Sequence, residues 1–338
     1  MIESGALRAQ IARGLGLEAV PKDRSGLEAA VYSTLAVPAL GYDLAFPEVF
    51  YPLGVPHGRE GFHAVLGNPP WDRMLPADKE FFASFEFGIL DAPTKRERDV
   101  IRQRLLTDPD IGHRYDSYIA EFRDCERVLD SQFEYQIVEV AGERTIGKQD
   151  AFRAFMERNT QLLATGGWTG VVVPSAFHAN EGATGVRRIY LQRMNFRHCY
   201  SFENRRKLFE IHSSFKFATV VSQAAKSMNV FSCAFYLHDD KWLFGDRTGR
   251  ELLTYSLEFV QRTGGEYLSL LELRSRRDLE VAESCFVTGE AFGKSCERLG
   301  IRLGRELNMT DDAWRFTPSM QLIADQEDPR APLTAASP

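Results

Sequence analysis

The residues that could do chemistry are concentrated in Asn68-Pro69-Pro70-Trp71. The amide oxygen of Asn68 and a neighbouring backbone carbonyl can each accept one N–H from an exocyclic –NH₂ group. This holds the amine and draws its lone pair out of ring conjugation, so that the nitrogen can attack an electrophilic methyl without a metal or a strong base. Trp71 offers a flat face on which the ring carrying the amine can stack. The pattern therefore predicts modification of an amine on a nucleobase that has left its duplex.

The surrounding residues predict how this turn is positioned. The apolar run Ala64-Val65-Leu66 is typical of a buried strand, and it stops at Gly67. Two successive prolines make a rigid, non-helical turn and push the residue before them toward extended geometry. Asn68 is thus expected at the carboxyl end of a strand, where open α/β sheets bind their ligands. The alternative is a plain Pro-Pro turn with Trp71 in the core.

The stretch Gly67-Asn68-Pro69-Pro70-Trp71 resembles the catalytic motif of amino-group DNA methyltransferases that use S-adenosylmethionine. The closer match is to the adenine-N6 methyltransferases of type IIG restriction–modification and related phage-defence systems. His63 departs from this family, which usually has Asp there. Further segments are similar to the family in its order and together cover most of residues 40 to 330; they are 44–50, 166–174, 202–209, 212–217 and 304–312.

This resemblance implies roles for individual residues. Asn68 and the carbonyl of Pro69 would hold the target amine, with Pro70 completing the turn, while Trp71 and Phe209 would stack on the flipped adenine. The basic run Arg205, Arg206 and Lys207 could touch the DNA backbone, although a solvated charge run is the alternative reading. No metal is implied.

The Gly-rich cofactor loop that the resemblance implies is missing from the sequence. Gly14-Leu15-Gly16 has no strand before it, Gly166-Gly167 precedes a strand instead of following one, and Gly264-Gly265 follows no clear strand. Asn68 would then form only one wall of the S-adenosylmethionine site. The expected partners are double-stranded DNA, an upstream segment or subunit that carries the loop, and a downstream target-recognition domain.

Composition bounds the class of protein. The chain has 338 residues and a net charge of −6, so it lacks the overall positive charge that is typical of nucleic-acid-binding proteins. It contains no 18-residue apolar stretch that would span a membrane. Its five cysteines are scattered without a Cys-x-x-Cys pair, which suggests neither zinc nor disulfides and favours a reduced, cytoplasmic protein.

The pattern of elements predicts an α/β fold, the later part of a Rossmann-like methyltransferase sheet with an antiparallel hairpin. A helix over 148–164, ended by Gly166-Gly167, should lead into a buried strand at 168–173, and the two strands 215–221 and 230–237 should be antiparallel neighbours. A helix is expected over 266–284. The expected domains are a lead-in segment (1–60), a catalytic half (61–240) with a helical insertion at about 75–147, and a connector (241–338).

Two other functions remain open at this stage. Asn-Pro-Pro-aromatic motifs also occur in methyltransferases that modify glutamine in proteins or guanine in RNA, but these are usually compact and lack an insertion like 75–147. A non-catalytic, DNA-binding or complex-forming remnant is the other alternative, and the missing cofactor loop keeps it open.

Overall fold

The computed structural model describes residues 41–54, 60–140, 142–144, 150–245, 247, 249–289, 292–302, 304 and 315. The strands are β1 (Phe62–Gly67), β2 (Glu139–Val140), β3 (Glu143–Arg144), β4 (Leu163–Pro174), β5 (Asn195–Glu203), β6 (Lys216–Gln223), β7 (Val230–Leu237) and β8 (Leu253–Ser256). The α-helices are α1 (Tyr42–Ala45), α2 (Pro47–Phe50), α3 (Asp78–Ala83), α4 (Lys95–Leu105), α5 (Pro109–Gln132), α6 (Ala151–Leu162), α7 (Ala176–Ala179), α8 (Thr184–Arg188), α9 (Leu257–Gly264), α10 (Arg276–Thr288) and α11 (Phe292–Leu299).

Six strands form one mixed sheet in the order β1-β4-β6-β5-β7-β8. β1, β4, β5 and β7 run in one direction, while β6 and β8 run in the other. The carboxyl ends of β1, β4, β5 and β7 therefore meet at one edge of the sheet, together with the start of β6. The predicted α/β class is confirmed.

The large core lies on one face of the sheet. It joins Phe152 and Met156 of α6 to Val171 and Val173 of β4, with further residues from the segments that follow. Val172 lies between the two valines and packs with a second, smaller cluster. Because successive side chains of a strand point to opposite faces, this second cluster lies on the other face of the sheet.

Strand β1 differs from the expected buried strand. It lies at the end of the sheet and, among the described residues, pairs only with β4. Ala64 is exposed and Leu66 is 80% exposed. The apolar run does form a strand, as predicted, but among the described residues only β4 lies beside it, so part of its apolar surface is exposed.

The passage from α6 into β4 also differs from expectation. α6 ends at Leu162 and β4 begins at Leu163, so Gly166-Gly167 lie inside the strand and do not cap the helix. Gly166 has a φ of 83°, which favours glycine. A Cβ on Gly167 would lie 2.7 Å from the carbonyl oxygen of Phe62. These glycines therefore permit an irregular strand to pack closely against β1.

Two further expectations are corrected. Strands β6 and β7 are not neighbours, because β5 lies between them and pairs antiparallel with β6 and parallel with β7. The antiparallel pairs of consecutive strands in this sheet are β5–β6 and β7–β8. The helix expected over 266–284 begins only at Arg276, since Leu268 and Leu270 belong to the large core.

The insertion after the turn is mostly helical, as predicted, and has its own aromatic packing. Phe81 and Phe82 of α3 contact Tyr115 of α5. Burial, followed by a hydrogen bond to Asp78, raises the pKa of Tyr115 to about 12. In contrast, α4 has no buried residue.

The chain divides into two compact units, Met1–Glu283 and Ser284–Pro338. The sheet continues past residue 240, because β8 pairs with β7. The described part of the second unit includes α11, in which Cys296 is buried. None of the described helices is both long and apolar enough to cross a membrane.

Candidate active site at the carboxyl edge of the sheet

The Asn68–Trp71 turn follows β1 directly at the carboxyl edge. Asn68 and Pro70 are exposed, whereas Pro69 is buried and Trp71 is half-buried. The indole Nε1 of Trp71 donates a hydrogen bond to the carbonyl oxygen of Val172 at 3.3 Å. The carbonyl oxygen of Asp72 accepts from the backbone N–H of Ala151 at 3.0 Å. The turn is thus fixed to β4 and to the start of α6, while Asn68 stays open to solvent.

Trp71 lies in an aromatic cluster with Phe209, Phe215 and Phe217. The Phe215 ring is parallel to Trp71, with centroids 5.7 Å apart and planes at 9°. Phe217 lies at 6.0 Å and 27°, and Phe209 meets Trp71 edge-on at 5.7 Å and 68°. The structure therefore brings together Trp71 and Phe209, as the resemblance implies, but the parallel partner of Trp71 is Phe215.

Phe215 and Phe217 both contact Trp71, and a spacing of two residues puts side chains on the same face of an extended chain. β6 begins at Lys216, so Phe215 belongs to the loop just before the strand. Phe217 is buried at 3% exposure, whereas Phe215 is 42% exposed. Phe217 is therefore the buried base of the aromatic cluster, and Phe215 is its solvent-exposed outer ring.

Asn204 positions the loop that carries these rings, and sequence reasoning missed it. Its fully buried side chain donates to the carbonyl oxygens of Phe209 and Ile211, each at 2.9 Å, and accepts from the N–H of Phe209 at 3.0 Å. Its own backbone N–H donates to the carbonyl oxygen of Phe215 at 2.9 Å. The signal available in the sequence was an Asn after a strand, a residue type that often folds a loop around its side chain.

A groove of about 390 Å³ runs along β1 and includes Asn68 in its wall. Phe155, Asn159 and Leu162 of α6 line its other side. Phe155 is 47% exposed in this groove, whereas Phe152 of the same helix is buried in the large core. The groove is on the α6 side, whereas Trp71 packs with the cluster on the opposite face, so Asn68 lies between the two.

The lining of the groove has some of the features that S-adenosylmethionine requires. Its volume is within the range of small-molecule sites, and Phe62, Val65 and Phe155 offer apolar surface to a purine ring. Among the described residues that line it, no Asp or Glu is present to bind ribose hydroxyls. The residues present thus fit one wall of such a site.

The basic run beside the aromatic cluster is engaged with carboxylates. Arg205 lies 2.6 Å from Glu203, and Arg206 forms an ion pair with Asp239. Lys207 has a φ of 52° where the short helical turn at Asn204–Arg206 ends. A contact of this run with DNA stays a prediction.

A chain of charged groups lies under the same edge of the sheet. His178 Nε2 lies 2.9 Å from Glu272, whose other oxygen accepts from Lys216 Nζ at 2.8 Å. Burial alone would raise the pKa of Glu272, but the hydrogen bonds from His178 and Lys216 outweigh it and lower the pKa to about 2. These contacts tie the start of β6, and with it Phe215 and Phe217, to the loop before α10.

Comparison with models of protein families and with curated protein sequences gives no match. Among solved structures, the chain is similar to the M protein of the type I restriction enzyme EcoKI (11% identity, 52% of this chain and 50% of that one, TM-score 0.30). It is also similar to the type IIG restriction endonuclease BpuSI (13% identity, 47% and 18%, TM-score 0.27). A third is a modification subunit assigned to a type I restriction enzyme of Vibrio vulnificus YJ016 (10% identity, 38% and 33%, TM-score 0.28). The chain spans half or less of the length of each of these structures, which come from restriction–modification systems.

Proposed function

We propose that this chain is the catalytic-motif half of an S-adenosylmethionine-dependent DNA methyltransferase that modifies the N6 amine of adenine in a restriction–modification or defence system. The observation that carries the proposal is the position of Asn68. It is exposed on a rigid turn at the carboxyl edge of the sheet, between an apolar groove on one face and an aromatic cluster on the other.

Asn68 and Pro69 would hold the amine. The side-chain oxygen of Asn68 and the carbonyl oxygen of Pro69 each accept one N–H, which localises the lone pair of the nitrogen toward the groove. Oxygen acceptors fixed on a Pro-Pro turn need little reorganisation during the reaction, and preorganised polar groups of this kind lower the barrier strongly.

Trp71 would stack on the extruded adenine, and Phe209 would contact it at an edge. The edge-on geometry of Trp71 and Phe209 does not form two parallel walls. Phe215 covers one face of Trp71 in the present structure, so the incoming base must displace it. Base–aromatic stacking contributes about 1–3 kcal/mol per base, against roughly 0.5–1.5 kcal/mol for a pair of protein rings, so the exchange is favourable over most of these two ranges.

S-adenosylmethionine would supply the electrophilic methyl from the groove side. Asn68 and the apolar residues of the groove would form one wall, and an upstream segment or subunit would supply the rest. Among the described residues β1 pairs on one side only, and the backbone of such an edge is a ready template for another strand, which supports this division. The same edge would suit a non-catalytic, complex-forming role, which is the second candidate.

Calorimetric titration of the isolated chain with S-adenosylmethionine tests whether this chain forms only one wall of the cofactor site. We expect weak binding or none, since the described groove lacks partners for the ribose. A micromolar dissociation constant for the chain alone would mean that it contains a complete cofactor site.

Transfer of labelled methyl groups to DNA by the complete enzyme, with and without the change Asn68→Ala, separates the two candidate functions. The proposed methyltransferase loses activity in the variant. A complex-forming role predicts no transfer by either protein, together with assembly that does not depend on Asn68.

A further inference from the structure

A second pocket, of about 480 Å³, lies beyond the ends of β5 and β7. Its polar lining includes Arg206, His238, Lys241 and Arg250, and Asp239 is the one carboxylate among the described lining residues. His238 Nε2 is 3.1 Å from a carboxylate oxygen of Glu203, so His238 does not count toward the positive charge. The described lining thus has three permanent cations and one carboxylate, in a chain whose net charge is −6. This local excess of positive charge is opposite in sign to the protein as a whole.

The pocket is held in shape by contacts outside its mouth. Arg250 Nε donates to the carbonyl oxygen of Tyr236 at 3.2 Å, and Arg250 Nη1 donates to that of Gly249 at 2.6 Å. Buried Trp242 forms the floor and donates from Nε1 to the carbonyl oxygen of Arg250 at 3.1 Å. The guanidinium of Arg206 is oriented by its ion pair with Asp239.

Lys241 completes the cationic rim from the other side. Its backbone N–H donates to Asp239 at 2.9 Å, while its side chain is exposed. A lysine of this kind acts as a point charge, whereas planar guanidinium groups bind oxyanions through two parallel hydrogen bonds. Together they suit a phosphate oxygen pair.

The pocket lies at the same edge of the sheet as Asn68 and Trp71. Trp71 packs on Phe217 at the start of β6, and β7 is two strands further along the sheet. Neighbouring strands are about 4.8 Å apart, so β6, on which Trp71 packs, and β7, which ends at the pocket, are roughly 10 Å apart. One strand of DNA advances about 3.4 Å per nucleotide, and the pocket is therefore some three nucleotides from the base position.

We propose that the pocket lined by Arg206, His238, Lys241 and Arg250 binds a backbone phosphate of the DNA strand that carries the extruded base. This inference rests on the proposed function and adds to it a defined contact with the phosphodiester. Of the basic run 205–207, only Arg206 is among the described residues that line the pocket, so the phosphate contact is assigned to Arg206. The Arg205 side chain pairs with Glu203, which is not part of that lining.

The test is the salt dependence of binding to a short DNA duplex with an abasic target site, for the whole chain and two single variants. Lys241→Gln removes a cation from the pocket. Lys226→Gln is the matched control, since Lys226 is an exposed lysine just past the opposite end of β6. Both variants should keep the melting temperature of the parent chain.

We expect Lys241→Gln to reduce the slope of log Kobs against log salt by about 0.9 and to weaken binding at low salt, because one phosphate contact releases about that many counterions. Lys226→Gln should leave the slope unchanged. Equal slopes for all three proteins, or no salt-dependent binding by the parent chain, would overturn the pocket assignment.

Titration with inorganic phosphate distinguishes the source of the anion. If inorganic phosphate binds the parent chain and not Lys241→Gln, while the DNA slopes are equal, the pocket takes a free anion and the DNA assignment is wrong. Methyl transfer measured separately with Asn68→Ala reports on the proposed function, so the two failures are distinguishable.

Discussion

The rings of Trp71 and Phe215 stack in parallel, with centroids 5.7 Å apart and an angle of 9° between their planes. This separation leaves no room for a base between them, since two stacked layers require about 3.4 Å each. A base that stacks on this face of Trp71 must therefore replace Phe215. The exposure of Phe215, 42%, and its place in a loop before β6 make that exchange feasible.

Phe215→Ala should tighten binding of DNA that carries a mismatched target adenine. The ring pair is worth about 0.5–1.5 kcal/mol, so its removal should raise affinity up to about tenfold. Fluorescence anisotropy with labelled duplexes measures this. Phe244→Ala is the control, because Phe244 is 85% exposed and should not affect binding. A loss of affinity in Phe215→Ala would mean that Phe215 holds the base instead of competing with it.

Trp71→Ala should weaken binding of the same mismatched DNA by about 1–3 kcal/mol, or roughly five- to 150-fold. Trp71→Phe keeps an aromatic face and should retain most of the affinity, although it loses the hydrogen bond to Val172. The comparison of the two variants separates stacking from packing. If both variants lower the melting temperature by several degrees and bind DNA like the parent, Trp71 is a packing residue.

The stability of the fold should depend on Glu272 in a defined pH range. Its pKa is lowered to about 2, below the usual value near 4.3, so the stabilisation is fully present above that usual value and is lost as pH falls toward 2. Glu272→Gln should cost about 3 kcal/mol in the free energy of unfolding at pH 7 and little at pH 2. Urea denaturation at pH 7, 5 and 3 measures this. A difference between the two proteins that is constant with pH would contradict it.

Local features of the site were predictable from the sequence, and long-range ones were not. The apolar run before Gly67 and the two prolines predicted a strand followed by a rigid turn. The exposure of Leu66 could not be foreseen, because an apolar strand looks the same at an edge as in the middle of a sheet. The contact between Lys216 and Glu272 joins residues 56 positions apart, and no periodic pattern marks such a pair.

The loop after β5 is a second place where contacts that no sequence pattern marks decide the structure. Phe209 was identified from its place in a resemblance, whereas Phe215 was placed at the start of the strand predicted over 215–221. Asn204 decides the outcome, since its hydrogen bonds fold residues 204–215 so that both rings reach Trp71. Side-chain-to-backbone bonds of this kind replace the strand ladder locally and shift where the strand begins.

The central claim is that Asn68 holds the N6 amine of adenine for methyl transfer, and nucleoside mass spectrometry tests it most directly. DNA is incubated with S-adenosylmethionine and the complete enzyme that contains this chain, either unchanged or with Asn68→Ala. We predict N6-methyldeoxyadenosine with the unchanged enzyme and a loss of at least ~10²-fold with the variant. The melting temperature should be preserved, because Asn68 is exposed. Near-normal turnover by Asn68→Ala, or a methylated product other than N6-methyldeoxyadenosine, would contradict the account.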